Sequence, residues 1–401
     1  MELWEEIELA QHRIQKVVLR TPTLYSDTIS KLTGREVFLK LENLQKTGSF
    51  KIRGAYYLLS RLSQSVRKKG VVAASAGNHA QGVAYASSLL GIPATIVMPE
   101  GASIAKQVAT KSYGGEVILY GQDTDEALQY AKKLAENGAF FVHPFDNKQV
   151  MAGQGTIGLE ILEDVPGVEA IIVPVGGGGL ISGIATIVKK RSPRVKIIGV
   201  QSAHAPSAFY SLKREKIVEV HVEPTLADGI ALRRVGEISF PIIRKRVDEM
   251  VTVQEDEIAS AILLLMERKR VVAEGAGAVP LAALLSQKEK ARPRKVVLVI
   301  SGGNIDVHLL DRIIEKGLSG TGRIVRFGVL LRDIPGSLAK LTGLIGHSHA
   351  NILHIIHERA AKEIPIGFSK VILVLETRGP EHIREIKSGL KKEGYPFEML
   401  R

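Results

Sequence analysis

Between residues 71 and 142, short apolar runs and amphipathic stretches alternate with a regularity that few folds accommodate. Val71-Val72-Ala73-Ala74, Ala94-Thr95-Ile96-Val97-Met98, Val117-Ile118-Leu119-Tyr120 and Ala139-Phe140-Phe141-Val142 have the length and composition of buried strands. Helical patterns over 78–90, 104–113 and 123–137 separate them. Such alternation implies a parallel sheet covered by helices on both faces, with ligands bound outside the carboxyl ends of the strands. A second series follows His143-Pro144: a helix around 155–162, a strand at 170–175, a helix through Ile187 and a strand at 196–200. Prolines 206, 224 and 241 break the pattern between 202 and 248. Helices over 256–269 and 278–285 and a strand at 296–300 then resume it. Ahead of both series, Leu3, Ile7, Ala10, Ile14 and Val17 mark a helix over 3–19, ended by Thr21-Pro22.

We therefore read residues 1–316 as one α/β domain of two lobes, the smaller spanning roughly 50–143 and inserted in the larger. Residues 317–322 read as a linker by composition. Residues 323–401 change texture: strand 323–331, helix 336–345, strands 352–358 and 370–375, helix 380–393 and a last strand at 397–400 form a separate α+β module.

The chain has 401 residues, enough for two or three domains, and no cysteine, which excludes disulfides, thiolate metal sites and cysteine nucleophiles. Its formal charge of +12 is spread along the chain, and Arg67-Lys68-Lys69 and Lys189-Lys190-Arg191 fall at expected helix ends, where cations complement the dipole. No basic arm or basic-aromatic strip suits nucleic acid, and no apolar run has membrane-spanning length. The first residues lack a signal-peptide pattern, so a cytoplasmic protein is expected.

Four stretches lie where chemistry belongs in such a sheet. Thr47-Gly48-Ser49-Phe50-Lys51 joins the strand Val37–Leu41 to a helix, and the helix N-terminus would favour the neutral amine of Lys51; the alternative is a solvated surface charge. Gly176-Gly177-Gly178-Gly179-Leu180 follows a buried strand and opens a helix, which suits an anion such as phosphate. Ser75-Ala76-Gly77-Asn78-His79 either caps its helix or holds a carboxylate. Ser301-Gly302-Gly303-Asn304 follows the last strand of the large lobe. A metal at His347, His349, His354 and His357 is disfavoured, because a strand over 352–358 sends His354 and His357 to opposite faces.

Together Ser49-Phe50-Lys51-Ile52-Arg53-Gly54-Ala55, Ala74–Gly82, Pro174–Leu180 and Ser301–Asn304 resemble the threonine dehydratases (threonine ammonia-lyases), pyridoxal-phosphate enzymes of the tryptophan-synthase-β fold type, over about residues 5 to 315. The resemblance implies that Lys51 forms a Schiff base with the cofactor and that Phe50 packs against its ring. It implies that Asn78 hydrogen-bonds the ring's 3′-oxygen, that Gly176, Gly177, Gly178, Gly179 and Leu180 hold the phosphate, and that Ser301 meets the ring nitrogen. Ser75, Ala76, Gly77, Asn78 and His79 would bind the substrate carboxylate; Glu274 matches a glutamate near the cofactor whose role stays open. Ile52 stands where threonine and cysteine synthases carry Asp. Ala76 stands where serine racemases carry a serine, so racemisation should be poor. Gln201 and Ser207 replace the acidic metal ligands of racemase-like members, so no metal is expected.

The C-terminal module resembles an ACT domain of ferredoxin-like order, through Asp333-Ile334-Pro335-Gly336-Ser337-Leu338 and Asn351-Ile352. The expected function is deamination of L-threonine, and of L-serine, to 2-oxobutanoate and pyruvate at the first step of isoleucine biosynthesis. Isoleucine is the expected effector and a homotetramer the expected assembly. The alternatives are a catabolic threonine/serine dehydratase with another effector and a non-catalytic amino-acid sensor.

Overall fold

A computed structural model describes residues 1–136, 138–288, 292–360 and 362–400. It divides into two compact units, Met1–Asp306 and Val307–Arg401.

The first unit holds two sheets. Strands β1 (Thr23–Tyr25) and β2 (Glu36–Leu41) precede a four-stranded sheet of β3 (Val71–Ala74), β4 (Ala94–Met98), β5 (Glu116–Leu119) and β6 (Phe140–Phe141), all parallel in the order β5-β4-β3-β6. Strands β7 (Ala170–Pro174), β8 (Lys196–Ser202), β9 (Glu249–Val253) and β10 (Lys295–Ile300) complete a six-stranded sheet in the order β1-β2-β10-β7-β8-β9. Only the edge strand β1 runs antiparallel there. Every residue of β7 is buried, as the unbroken apolar runs of a central parallel strand require.

Three helices pack in series behind the lysine loop: Lys51–Ser60, Lys148–Asp164 and Gly179–Arg191. A methyl group on Gly153 would lie 2.5 Å from the Arg53 carbonyl oxygen, so only a hydrogen there lets two of these helices touch backbone to backbone. Beside that crossing Arg53 is wholly buried. Its guanidinium grips Glu42 at 2.8 Å through two nitrogens and Glu160 at 2.6 and 2.9 Å, while the buried Lys40 amine meets Glu160 at 2.6 Å. Burial alone would drive the Glu42 carboxyl up; Arg53 outweighs it and holds the group below its ordinary range.

Several elements depart from the sequence reading. The first helix ends at Ile14, before the β-branched Val17-Val18, although Val18 stays buried. The helix expected at 155–162 starts at Lys148, because the Asn147 side chain caps it by accepting from the Gln149 and Val150 N–H groups. The helix over 256–269 is α-helical only from Glu255 to Leu264 and closes in a π-turn, Leu265–Lys269. Residues 317–320, read as linker, are the last turn of the helix Val307–Gly320, which belongs to the second unit. The amphipathic pattern of that helix, with Ile313 and Gly317 buried, outweighs the glycines at its end.

The second unit carries β11 (Ile324–Arg332), helix Ser337–His347, β12 (Asn351–Glu358), β13 (Phe368–Glu376), helix Pro380–Lys392 and β14 (Phe397–Leu400). The antiparallel sheet β12-β13-β11-β14 and the two helices enclose a core of their own around Phe327, Leu341, Leu373 and Leu390. Among the described residues no helix is long and apolar enough to cross a membrane, and no three His, Cys, Asp or Glu side chains converge as metal ligands do.

Candidate active site

The four sequence stretches converge at the carboxyl ends of the strands of the first unit. After β2, a 3₁₀ turn and loop deliver Lys51 as the first residue of its helix. The loop is stitched to the segment after β10: the Phe50 N–H donates to the Ser301 carbonyl at 3.1 Å and the Gly303 N–H to the Gly48 carbonyl at 2.9 Å. Two hydroxyls of this seam, on Thr47 and Ser49, are buried without a hydrogen-bond partner.

The Lys51 amine donates to the Pro144 carbonyl at 3.0 Å and lies 5.2 Å from the centre of the Phe50 ring. Burial in the cleft lowers its pKa to about 8, against the opposing pull of Glu274. The next residue, Phe145, abuts the glycine loop. A Cβ on Gly177 would stand 2.2 Å from the Phe145 ring, and one on Gly179 would stand 2.7 Å from the Phe145 carbonyl. The lysine amine and the glycine loop therefore flank one dipeptide.

Gly178 (φ 100°) begins the helix Gly179–Arg191 without a side-chain cap. The N–H groups of that first turn are free to hold an anion, and the helix dipole favours one. The loop is braced from behind: the Ser239 hydroxyl donates to the Gly177 carbonyl at 2.6 Å, and Asp146 accepts from the Glu237 and Ser239 N–H groups at 2.8 and 3.0 Å. Sequence reasoning missed this support, because residues 202–248 carry no periodic signal.

The loop after β3 gives the opposite face. Gly77 starts the helix Asn78–Leu90, again with no side-chain cap, and the Ser75 hydroxyl accepts from the Gly77 N–H at 3.1 Å. Ser75, Ala76 and Gly77 are half-buried. The His79 ring turns away: its Nε2 meets the Val142 carbonyl at 2.9 Å, and burial lowers its pKa to about 3, leaving a neutral structural imidazole. Only its backbone remains for a ligand. The Asn78 amide reaches Glu274, which is buried and whose carboxyl burial raises to about 7.

A desolvated amine, an uncapped glycine cradle and orphaned hydroxyls fit a phosphorylated aldehyde cofactor. The family described as pyridoxal-phosphate dependent enzyme matches residues 14–302. The chain belongs to the pyridoxal-phosphate-dependent enzymes. An L-threonine ammonia-lyase of Thermotoga maritima is 53% identical over 397 residues, 99% of each chain. Among solved structures, the processed form of threonine deaminase isoform 2 from Solanum lycopersicum superposes with a TM-score of 0.75 at 38% identity, covering 78% of this chain and 88% of that one. Maize serine racemase superposes with a TM-score of 0.74 at 37% identity, covering 79% and 98%.

In this pyridoxal-phosphate enzyme Lys51 is the amine suited to the cofactor aldehyde, Gly176 to Leu180 would hold its phosphate, and Phe50, Asn78 and Ser301 would hold its ring. Ser301 is buried directly after β10. Gln201, where racemase-like members carry a metal ligand, is spent on its own loop: its Oε1 accepts from the Phe209 N–H at 2.9 Å and its Nε2 donates to the Ser207 hydroxyl at 3.4 Å.

Proposed function

We propose that this enzyme is an L-threonine ammonia-lyase, also acting on L-serine, that makes 2-oxobutanoate and ammonia at the entry to isoleucine biosynthesis. The observation that carries the reading is the placement of the Lys51 amine, held by the Pro144 carbonyl at 3.0 Å, one residue from the Phe145 that abuts the uncapped glycine cradle; burial there lowers its pKa. The bound cofactor supplies an electron sink for the pair left when the α-proton departs. The Lys51 amine, neutral in a useful fraction near pH 8, removes that proton. The loop Ser75 to His79, which opens a helix with no side-chain cap, holds the substrate carboxylate. Ser301 offers the ring nitrogen a neutral hydroxyl, so charge withdrawal is limited and loss of the β-hydroxyl is favoured over reprotonation. Ala76 has no proton to give, which disfavours racemisation despite the likeness to maize serine racemase.

The second unit reads as an ACT-type effector module. Gly336 (φ 85°) turns the chain into the helix Ser337–His347, Asp333 pairs with Arg359 at 3.0 Å, and Asn351 opens β12. Asp333, Pro335, Gly336, Leu338, Asn351 and Ile352 would meet isoleucine in a homotetramer.

The test is formation of 2-oxobutanoate from L-threonine, with and without isoleucine, against a Lys51→Ala control. Turnover should vanish in the control and fall with isoleucine. Undiminished turnover by Lys51→Ala would sink the lyase reading, and indifference to isoleucine would remove that effector.

A further inference from the structure

Glu274 and Asn304 lie beside Asn78, and the expected contacts of the cofactor give neither of them a role. Their hydrogen bonds form a directed chain that starts at a backbone carbonyl. Asn304 Nδ2 donates to the Thr47 carbonyl at 2.8 Å, which can only accept, so the nitrogen end of Asn304 is fixed. The same nitrogen donates to Asn78 Oδ1 at 2.7 Å, with Gln81 Oε1 farther off at 3.3 Å. Asn78 must then offer its own nitrogen on the other side, where one N–H is shared between the two Glu274 oxygens at 2.7 and 2.9 Å and the second N–H is left over. An amide turns through 180° at little cost when its surroundings do not distinguish its ends; here each end faces a partner that accepts only one of them.

We propose that Glu274 and Asn304 are positioning residues that lock the Asn78 amide in one orientation, so that its remaining N–H faces the cofactor ring. The inference rests on the reading of Asn78 as a donor to the ring's 3′-oxygen. Glu274 is itself held: its N–H donates to the Gly302 carbonyl at 3.1 Å. The charged groups facing its carboxyl are Lys51 and Lys106, which favour the carboxylate, and Asp228, which opposes it. Lys106 and Asp228 also pair with each other at 3.1 Å. With its carboxyl raised to about 7, Glu274 changes from acceptor-only to part-donor as pH falls through neutrality, and the lock loosens with it.

The experiment uses full-length, cofactor-loaded protein without substrate. Visible absorption of the cofactor is followed from about pH 6 to about pH 8, and cofactor affinity is measured alongside. Glu274→Ala, Glu274→Gln, Asn304→Ala and Asn78→Ala are compared with the wild type, each checked for native circular dichroism. Losing one charge-assisted hydrogen bond should weaken cofactor affinity about tenfold in Glu274→Ala and Asn78→Ala, with matching altered spectra. Glu274→Gln keeps an acceptor, so it should stay within about threefold in affinity yet lose the spectral step near neutral pH. Wild-type spectra and affinity in Glu274→Ala and Asn304→Ala, beside an altered Asn78→Ala, would overturn the inference and leave the Asn78 contact standing. An unaltered Asn78→Ala would overturn both.

Discussion

Lys51 takes its character from neighbours remote in sequence. Pro144 accepts its proton-bearing nitrogen, Phe50 covers one side, and burial brings the amine to about 8. The sign of the pH effect follows directly. Only the neutral amine attacks an aldehyde, and below its pKa that fraction falls about tenfold per pH unit. Uptake of pyridoxal phosphate by the apoprotein should therefore quicken as pH rises toward about 8 and level off above it; stopped-flow absorbance on apoprotein across that range checks it. A rate that goes on rising well past about pH 8, toward the ordinary lysine range, would mean that the amine is not desolvated as described. The motif around Lys51 was legible in the sequence because a strand end, a polar loop and a helix start follow one another there. The His79 side chain was not, since its turn toward Val142 depends on the packing of a segment more than sixty residues away.

At the scale of elements, the lysine loop is held by what lies under it. Arg53, two residues past Lys51, is clamped by Glu42 and Glu160, and Gly153 lets the helix beneath it approach. Arg53→Met would strand the buried Glu42 carboxylate, leaving Glu160 with Lys40 alone, and should destabilise the protein by roughly 3–5 kcal/mol, read from urea unfolding. Gly153→Ala places a methyl against the Arg53 carbonyl and should lose roughly 1–3 kcal/mol, with weaker cofactor retention because the helix carrying Lys51 must shift. In the glycine cradle, Gly177→Ala would drive a methyl into the Phe145 ring; the holoprotein should lose its colour on dialysis while its far-ultraviolet circular dichroism persists. The helices themselves were readable from apolar spacing. Their true starts were less so, because the Asn147 cap and the Asp146 brace act through side chains that carry no periodic signal.

For the whole molecule, each unit has its own hydrophobic core, and the family match ends at residue 302, just before the second unit begins. A fragment ending at Asp306 should fold, bind pyridoxal phosphate and turn over L-threonine without any response to isoleucine. Loss of cofactor binding by a fragment that retains its circular dichroism would show that the second unit contributes to the site.

The sequence by itself determined the alternating lobes and the glycine-rich stretches that meet at the carboxyl ends of the strands, because strand and helix periodicity and glycine-rich turns are local properties of the chain. Only the tertiary structure decided that the His79 ring turns to Val142, that the Glu274 and Asn304 side chains meet the Asn78 amide, and that residues 317–320 are helix. Those outcomes depend on burial and on hydrogen bonds between residues far apart in the chain, and no local pattern encodes either.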